Sequence, residues 1–182
     1  ARMTHLSLPM LWERLDQRLP VLTGGGRDRP LRLQTMHDAI SWSYHLLTPQ
    51  EQVLFRRLAA VSGGCTLEAA EALMAGDASA PIPTLDLVAA LVDASLLQAE
   101  SDEHGTLRYR MRETIHDYAA EQLTASGEDA SVRARHAAYY THLAEHQDLA
   151  DLLTGEPDRP TPLTAEQGNL RAALTWLAAS QE

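Results

Sequence analysis

The spacing of apolar residues changes from a helical to a strand-like period over one short stretch of this chain. Leu96 to Glu100 is typical of a strand, residues 101–105 of a turn, and Thr106 to Met111 of a returning strand. Two runs of period two joined by a glycine-containing turn predict a β-hairpin. Arg108 and Arg110 alternate with the apolar residues of the second run, so we expect both arginines to point away from the core.

Helical patterns lie on both sides of this hairpin. The strongest start signal is Thr48-Pro49-Gln50-Glu51, which predicts a capping box. The predicted helices are Leu6–Leu22, Leu33–Leu47, one opened by Thr48, one capped by Thr66, Leu85–Ala94, Arg112–Ser126, a long helix beyond Gly127 and a last one over Leu170–Leu177. Three helices, a hairpin and a further helix predict a winged-helix arrangement, with a small helical domain carrying one hairpin as the plainer alternative.

The basic residues exclude some chemistry directly. The chain has 182 residues, a net charge of −10 and fifteen basic residues, all of them arginine. Without lysine this segment has neither a phosphate loop of the G-x-x-x-x-G-K-[ST] type nor a lysine Schiff base. Cys65 is the one cysteine and no apolar run is long enough to cross a membrane, so we expect a cytoplasmic protein without membrane contact.

Acidic residues dominate the predicted winged helix. Residues 35–126 contain five arginines and thirteen acids, and the helix before the hairpin carries only Asp86 and Asp93 as charges. Phosphate contact requires cations, and base reading requires cationic or amide side chains. We therefore predict that this segment makes no direct contact with nucleic acid.

Two groups of residues resemble catalytic or metal sites. Glu113, His116 and Asp117 share a helical face, a spacing that can supply metal ligands, although solvated polar side chains have the same spacing. Cys65 follows two glycines at a helix start, where a thiolate can be stabilised, but a buried small residue is favoured. We predict no catalytic residue, no metal and no cofactor within this segment, and keep a metal hydrolase only as an outlying hypothesis.

The order of the motifs resembles a known family. The segments are RLDQRLPVLTGGGRDRPLRLQTMHDAISWSYHLLTPQEQVLFRRLAAVSGGCTLEAAEAL, LVAALVDASLL, RYRMRETIHDYA, RHAAYYTHLAE and TAEQGNLRAALTWL. They are similar to the region after the nucleotide-binding core in bacterial STAND-class (NB-ARC-like) signal-transduction ATPases, as in transcriptional regulators of LuxR and SARP type. The resemblance implies a mainly α fold: the end of a helical lid at 1–34, a winged helix with one β-hairpin at 35–126, and the start of a helical-repeat (TPR-like) arm at 127–182.

The resemblance also implies a functional position. In the plant and animal members of this family a Met-His-Asp motif lies between the hairpin and the next helix, and its histidine contacts the β-phosphate of ADP. The matching residues here are Met111, Arg112 and Glu113, so arginine replaces histidine. Arg112 is either a cation that pairs with phosphate or an exposed arginine near a helix N-terminus.

These observations give an expectation for the whole segment. We expect a non-catalytic piece of a longer regulator, which binds ATP or ADP with Mg through an upstream core of the same chain. The C-terminal helices would bind an effector or protein partner, with hinges at Gly24–Pro30 and near Gly127. The alternative is a stand-alone helical protein–protein interaction scaffold without a nucleotide link.

Overall fold

The computed structural model describes residues 31–76, 82–101, 105–154 and 162–180. The chain divides after Met36 into two compact units, 1–36 and 37–182, and the second unit contains the hairpin. The predicted helix Leu6–Leu22, the hinge at Gly24–Pro30 and nearly all of the lid segment 1–34 lie outside the described residues.

The first two helices of the described residues are α1, Leu31–Leu46, and α2, Pro49–Arg57, followed by a 3-10 turn at Leu58–Ala60. Helix α2 begins where the sequence predicts, whereas α1 already includes Leu31, two residues before the predicted start at Leu33. The capping box is confirmed, because Thr48 Oγ1 accepts from the Glu51 N–H at 3.4 Å and Glu51 Oε2 accepts from the Thr48 N–H at 2.8 Å. These two bonds satisfy N–H groups that a helix start leaves without intrahelical partners.

The next two helices precede the hairpin. Helix α3 spans Leu67–Met74 and α4 spans Thr84–Asp93. The Thr66 hydroxyl accepts from the backbone of the third helical residue at 3.4 Å, as expected of an N-cap. Both helices are amphipathic, and the side of α4 that faces the core carries Leu87, Val88 and Leu91, all at most 1% exposed.

The hairpin consists of antiparallel strands β1, Gln98–Ser101, and β2, Leu107–Arg110. Tyr109 of β2 also pairs with Cys65, through N–H to O bonds of 2.8 and 3.0 Å. These bonds attach the loop before α3 to the edge of β2 that does not pair with β1. A displacement of β2 would therefore move this loop as well.

One predicted orientation in the hairpin is wrong. Alternation placed Arg108 away from the core, but the structure buries it to 6% exposure, whereas Arg110 is exposed and Leu107 is 46% exposed. The physical reason is that residues after the hairpin cover this part of its outer face. Arg108 pairs there with Glu166, which is 4% exposed.

The core of the second unit lies between its helices and the hairpin. Its aromatic centre is formed by Tyr44 of α1, Phe55 of α2 and Tyr118, with Tyr44 ring centroids 5.3 Å from Phe55 and 5.6 Å from Tyr118. Tilted and edge-on contacts at these distances are favourable beyond the area that they bury. Helix α1 is thus packed against the winged-helix segment.

Among the residues that the structure describes, four helices follow the hairpin: α5, Glu113–Ser126; α6, Asp129–Thr154; α7, Pro162–Ala165; and α8, Gln167–Ala179. Gly127 adopts a left-handed conformation (φ 73°) between α5 and α6. At this joint Glu128 pairs with Arg56 at 2.8 Å and Arg57 at 3.2 Å, which ties the start of α6 to α2. The fold is mainly α with one β-hairpin, as predicted, while the boundary at 126–127 and the hinge there stay predictions.

Candidate nucleic-acid interface on the wing

Met111, Arg112 and Glu113 form the junction between β2 and α5. Arg112 is the N-cap of α5 with extended backbone (φ −68°, ψ 149°), and its carbonyl accepts from the N–H groups of Ile115 and His116 at 2.9 Å each. Met111 is half-buried, and the side chains of Arg112 and Glu113 are exposed. Glu113 lies in the first turn of α5, where a carboxylate interacts favourably with the helix dipole.

The Arg112 guanidinium lies beside the hairpin. With its amide oxygen turned toward Arg112, Gln98 of β1 accepts from Nη2 at 3.0 Å and from Nε at 3.3 Å. Gln98 is also the register partner of Arg110 on β2. Gln98 is therefore the hydrogen-bond partner of one exposed arginine and the strand partner of another, and we call Gln98, Arg110 and Arg112 the wing site.

Arg110 lies over a glycine. Gly64 has φ +98°, and a Cβ there would be 2.6 Å from Arg110 Cγ and 2.9 Å from the Tyr109 carbonyl oxygen. Only glycine leaves room for the aliphatic part of Arg110 against this loop. The Arg110 guanidinium forms no ion pair with any residue in the described ranges, so its charge is free to meet an anion.

The other arginines of residues 35–126 are committed to acids. Arg56 and Arg57 bind Glu128, and Arg108 binds Glu166. Arg110 and Arg112 are consequently the exposed arginines of the winged-helix segment, and both lie on the same end of the hairpin.

A cavity of about 150 Å³ adjoins the wing site. It is lined by ten residues: Leu58, Val61, Gly63, Gly64, Cys65, Leu97, Tyr109, Arg110, Met111 and His116. Of the predicted sensing residues, Met111 reaches this cavity and Arg112 and Glu113 do not. Burial raises the pKa of the Cys65 thiol to about 12, with the nearby Glu166 carboxylate adding to the effect. Cys65 is thus a buried thiol rather than a nucleophile.

The residues of the outlying metal hypothesis do not converge on a site. Glu113 and Asp117 are exposed and His116 is half-buried on the cavity side. Within the ranges that the structure describes, no three His, Cys, Asp or Glu side chains are grouped so that they could hold a metal ion.

A buried polar cluster behind the wing was not predicted from the sequence. Arg108 donates to Glu166, to the Gly64 carbonyl at 3.1 Å and to the Ala165 carbonyl at 3.4 Å. Asn169 Nδ2 donates to Glu166 at 2.7 Å and to the Gly64 carbonyl at 2.9 Å. We call Arg108, His136, Glu166 and Asn169 the clasp. Glu166 and Asn169 are three residues apart at a helix start. Exposed helix starts have the same spacing, so the sequence does not show that these two side chains are buried.

The acceptor side of Asn169 completes the clasp. Asn169 Oδ1 accepts from the Ser62 backbone N–H at 2.7 Å, and His136 Nε2 lies 3.3 Å from the same oxygen. Because an amide oxygen only accepts, Nε2 carries the proton. Burial lowers the pKa of His136, an effect that Arg133 strengthens and that Asn169 and Glu166 oppose. The folded protein therefore favours the neutral form of this imidazole over the charged form.

The comparisons with known proteins bear on this hairpin and the helices before it. Residues 47–124 match the family model of the winged helix-turn-helix domain. These residues have the winged-helix fold that the order of helices and hairpin predicted. Helices α3 and α4 form its helix-turn-helix, and β1 and β2 form its wing.

The relatives include proteins named as transcriptional regulators. A protein of Mycobacterium tuberculosis named as an HTH-type transcriptional regulator, and its Mycobacterium bovis counterpart, are each 43% identical over 180 residues, covering 97% of this chain and 20% of theirs. An uncharacterised protein of Mycobacterium tuberculosis is 33% identical over 146 residues, covering 80% of this chain and 36% of its own. The chain thus spans about a fifth of the first relatives. No solved structure matches it.

The prediction that this segment makes no direct contact with nucleic acid is wrong. A winged helix-turn-helix domain, in a chain similar to proteins named as HTH-type transcriptional regulators, points to DNA binding. The prediction weighed the charges of α4 and the summed charge of residues 35–126, and gave no weight to the exposed Arg110 and Arg112. In the part of the chain that the structure describes, no helix has the length and apolar character to cross a membrane.

Proposed function

We propose that this chain supplies DNA contact to a transcriptional regulator, and that the contact is made by the wing site. The observation that carries the proposal is the exposure of Arg110 and Arg112 on the wing of a winged helix-turn-helix domain, at a point where no acid of the described residues neutralises them. Guanidinium groups pair with phosphate oxygens bidentately, and phosphate contacts fix a protein on the duplex.

The outward side of α4 supports the choice of the wing. Its exposed positions include Leu85, Asp86, Ala89 and Asp93, which offer no donor to a phosphate or a base edge. The wing site, by contrast, offers two guanidinium groups and the amide of Gln98 within one short hairpin. DNA is therefore held through its backbone at the wing.

Fluorescence anisotropy with a short labelled DNA duplex of mixed sequence at low salt tests this assignment. Arg110→Ala and Arg112→Ala each remove one positive charge, and Arg171→Ala removes one from an exposed position of α8. We expect the two wing variants to weaken binding and the α8 variant to bind like the unaltered protein. Equal affinities in all three variants would exclude the wing as the contact.

We propose further that the segment couples DNA contact to the nucleotide state of an upstream STAND-class core that holds ATP or ADP with Mg, in a cytoplasmic regulator of LuxR or SARP type. The observation that favours this second function is the exposed Arg112 guanidinium at the junction of β2 and α5, next to Met111 and Glu113. In the plant and animal members of the STAND-class family that this sequence resembles, the phosphate-sensing histidine occupies this position. The segment itself performs no catalysis in this scheme.

Retention of ADP by the full-length protein tests the coupling. Arg112→Ala is expected to shorten the lifetime of bound ADP, while Arg110→Ala, which removes the same charge from the neighbouring strand end, leaves it unaltered. An unchanged lifetime in Arg112→Ala removes Arg112 as a phosphate contact. A full-length sequence without a phosphate loop upstream of this segment would instead leave the stand-alone interaction scaffold.

A further inference from the structure

The arm, helices α6–α8, is attached to the winged helix by buried polar bonds. All four members of the clasp are at most 6% exposed, and their hydrogen bonds join the start of α8 to α6, to β2 and to the loop before α3. Gly168 brings α8 close to this loop, since a Cβ there would be 3.0 Å from the Ser62 carbonyl oxygen. The arm therefore packs against one end of the domain through directional contacts.

The clasp and the wing site contact the same two segments, strand β2 and the loop that contains Gly64. Arg108 and Arg110 are two residues apart on β2, so their side chains leave the same face of the hairpin. The Gly64 carbonyl accepts from both Arg108 and Asn169, while the Arg110 stem lies against the Gly64 Cα. If α8 leaves, the Gly64 carbonyl loses its bond from Asn169 and Arg108 of β2 loses its ion pair with Glu166.

We propose that the arm controls the wing site, with Arg108 as the positioning residue through which a movement of α8 changes how Arg110 is presented to DNA. The docked arm holds β2 and the Gly64 loop in the arrangement that exposes both wing arginines, so docking favours binding and release weakens it. An effector that binds α6 and α8 with different affinity in the two positions would regulate the contact. This inference rests on the proposed DNA contact by the wing.

The first test combines hydrogen exchange with DNA binding. Asn169→Ala removes the acceptor of the Ser62 N–H, and Thr175→Ala is the control at an exposed position of α8. We expect Asn169→Ala to speed exchange at Ser62 and in β2 and to weaken DNA binding roughly tenfold, the ordinary size of coupling between sites. Continued protection of the α4 amides, on the helix whose Leu87, Val88 and Leu91 are at most 1% exposed, reports that the domain remains folded.

The second test needs no variant, because coupling is reciprocal. Saturating the unaltered protein with the DNA duplex is expected to slow exchange at Ser62 and along α8. Faster exchange at Ser62 in Asn169→Ala, with β2 exchange and DNA affinity unchanged, would overturn the inference. Failure of the proposed function has a different signature, namely DNA binding that is absent or that Arg110→Ala leaves unchanged. In that case faster β2 exchange in Asn169→Ala would still support control of the wing by the arm.

Discussion

Arg108 of the wing and Glu166 of the arm form a buried ion pair although 58 residues separate them in the chain. Their hydrogen bond raises the pKa of Arg108 and keeps its charge in place. The remaining oxygen of Glu166 accepts from Asn169, and Arg108 also donates to the Gly64 carbonyl. A buried pair whose polar groups are satisfied in this way depends on both partners.

Glu166→Gln is expected to destabilise the protein by about 3–5 kcal/mol, because it leaves the Arg108 charge buried without a counter-charge. Urea unfolding measures the change. The control is Asp129→Asn, which breaks the exposed pair of Asp129 with Arg133 and should cost less than about 0.5 kcal/mol. Equal costs for the two variants would show that the clasp contributes no more than a surface pair.

Gly64→Ala is expected to destabilise the protein more than Gly63→Ala. Both glycines have positive φ, of 98° and 80°, so either substitution brings the strain of a left-handed residue, about 1–2 kcal/mol. Only the Cβ at Gly64 meets neighbours, namely the side chain of Arg110 and the Tyr109 carbonyl, whereas the one at Gly63 meets nothing within 4 Å. Chemical denaturation of the two variants gives the comparison, and a smaller cost at Gly64 would contradict the close approach.

The protein is expected to lose stability as the pH is lowered, because of His136. Burial lowers the pKa of His136, so below the ordinary histidine pKa of about 6.5 the unfolded chain binds this proton more readily than the folded chain. The folded state therefore loses stability as the pH falls from that value toward the lowered pKa of His136. Unfolding free energies across this range should flatten in His136→Gln and not in His45→Gln, an exposed control. The same slope in both variants would assign it to other groups.

Local sequence signals predicted well where the helices begin. The capping box at Thr48 and the N-cap at Thr66 depend on residues within one helical turn, so a short window of sequence contains the whole interaction. The start of α4 was less well placed, because Thr84 is its first residue and Pro83 takes the cap position. Glycine at position 127 likewise marked the end of α5.

The local sequence could not predict which residues of the hairpin are covered by the helices that follow it. Alternation assigns Arg108 and Arg110 to one face, which is correct, but it carries no information on which part of that face another element covers. Glu166 and Asn169 cover Arg108 and leave Arg110 exposed. The summed charge misled for a related reason: it counts Arg56 and Arg108 equally with Arg110, although the first two are already paired with acids.

The salt dependence of DNA binding tests the central claim most directly. Each phosphate contact by an arginine contributes about 0.9 to the slope of log affinity against log salt concentration. The Arg110→Ala, Arg112→Ala double variant should therefore show a slope shallower by about 1.8 than the unaltered protein, whereas Arg171→Ala keeps the original slope. An unchanged slope in the double variant would contradict DNA contact by the wing site.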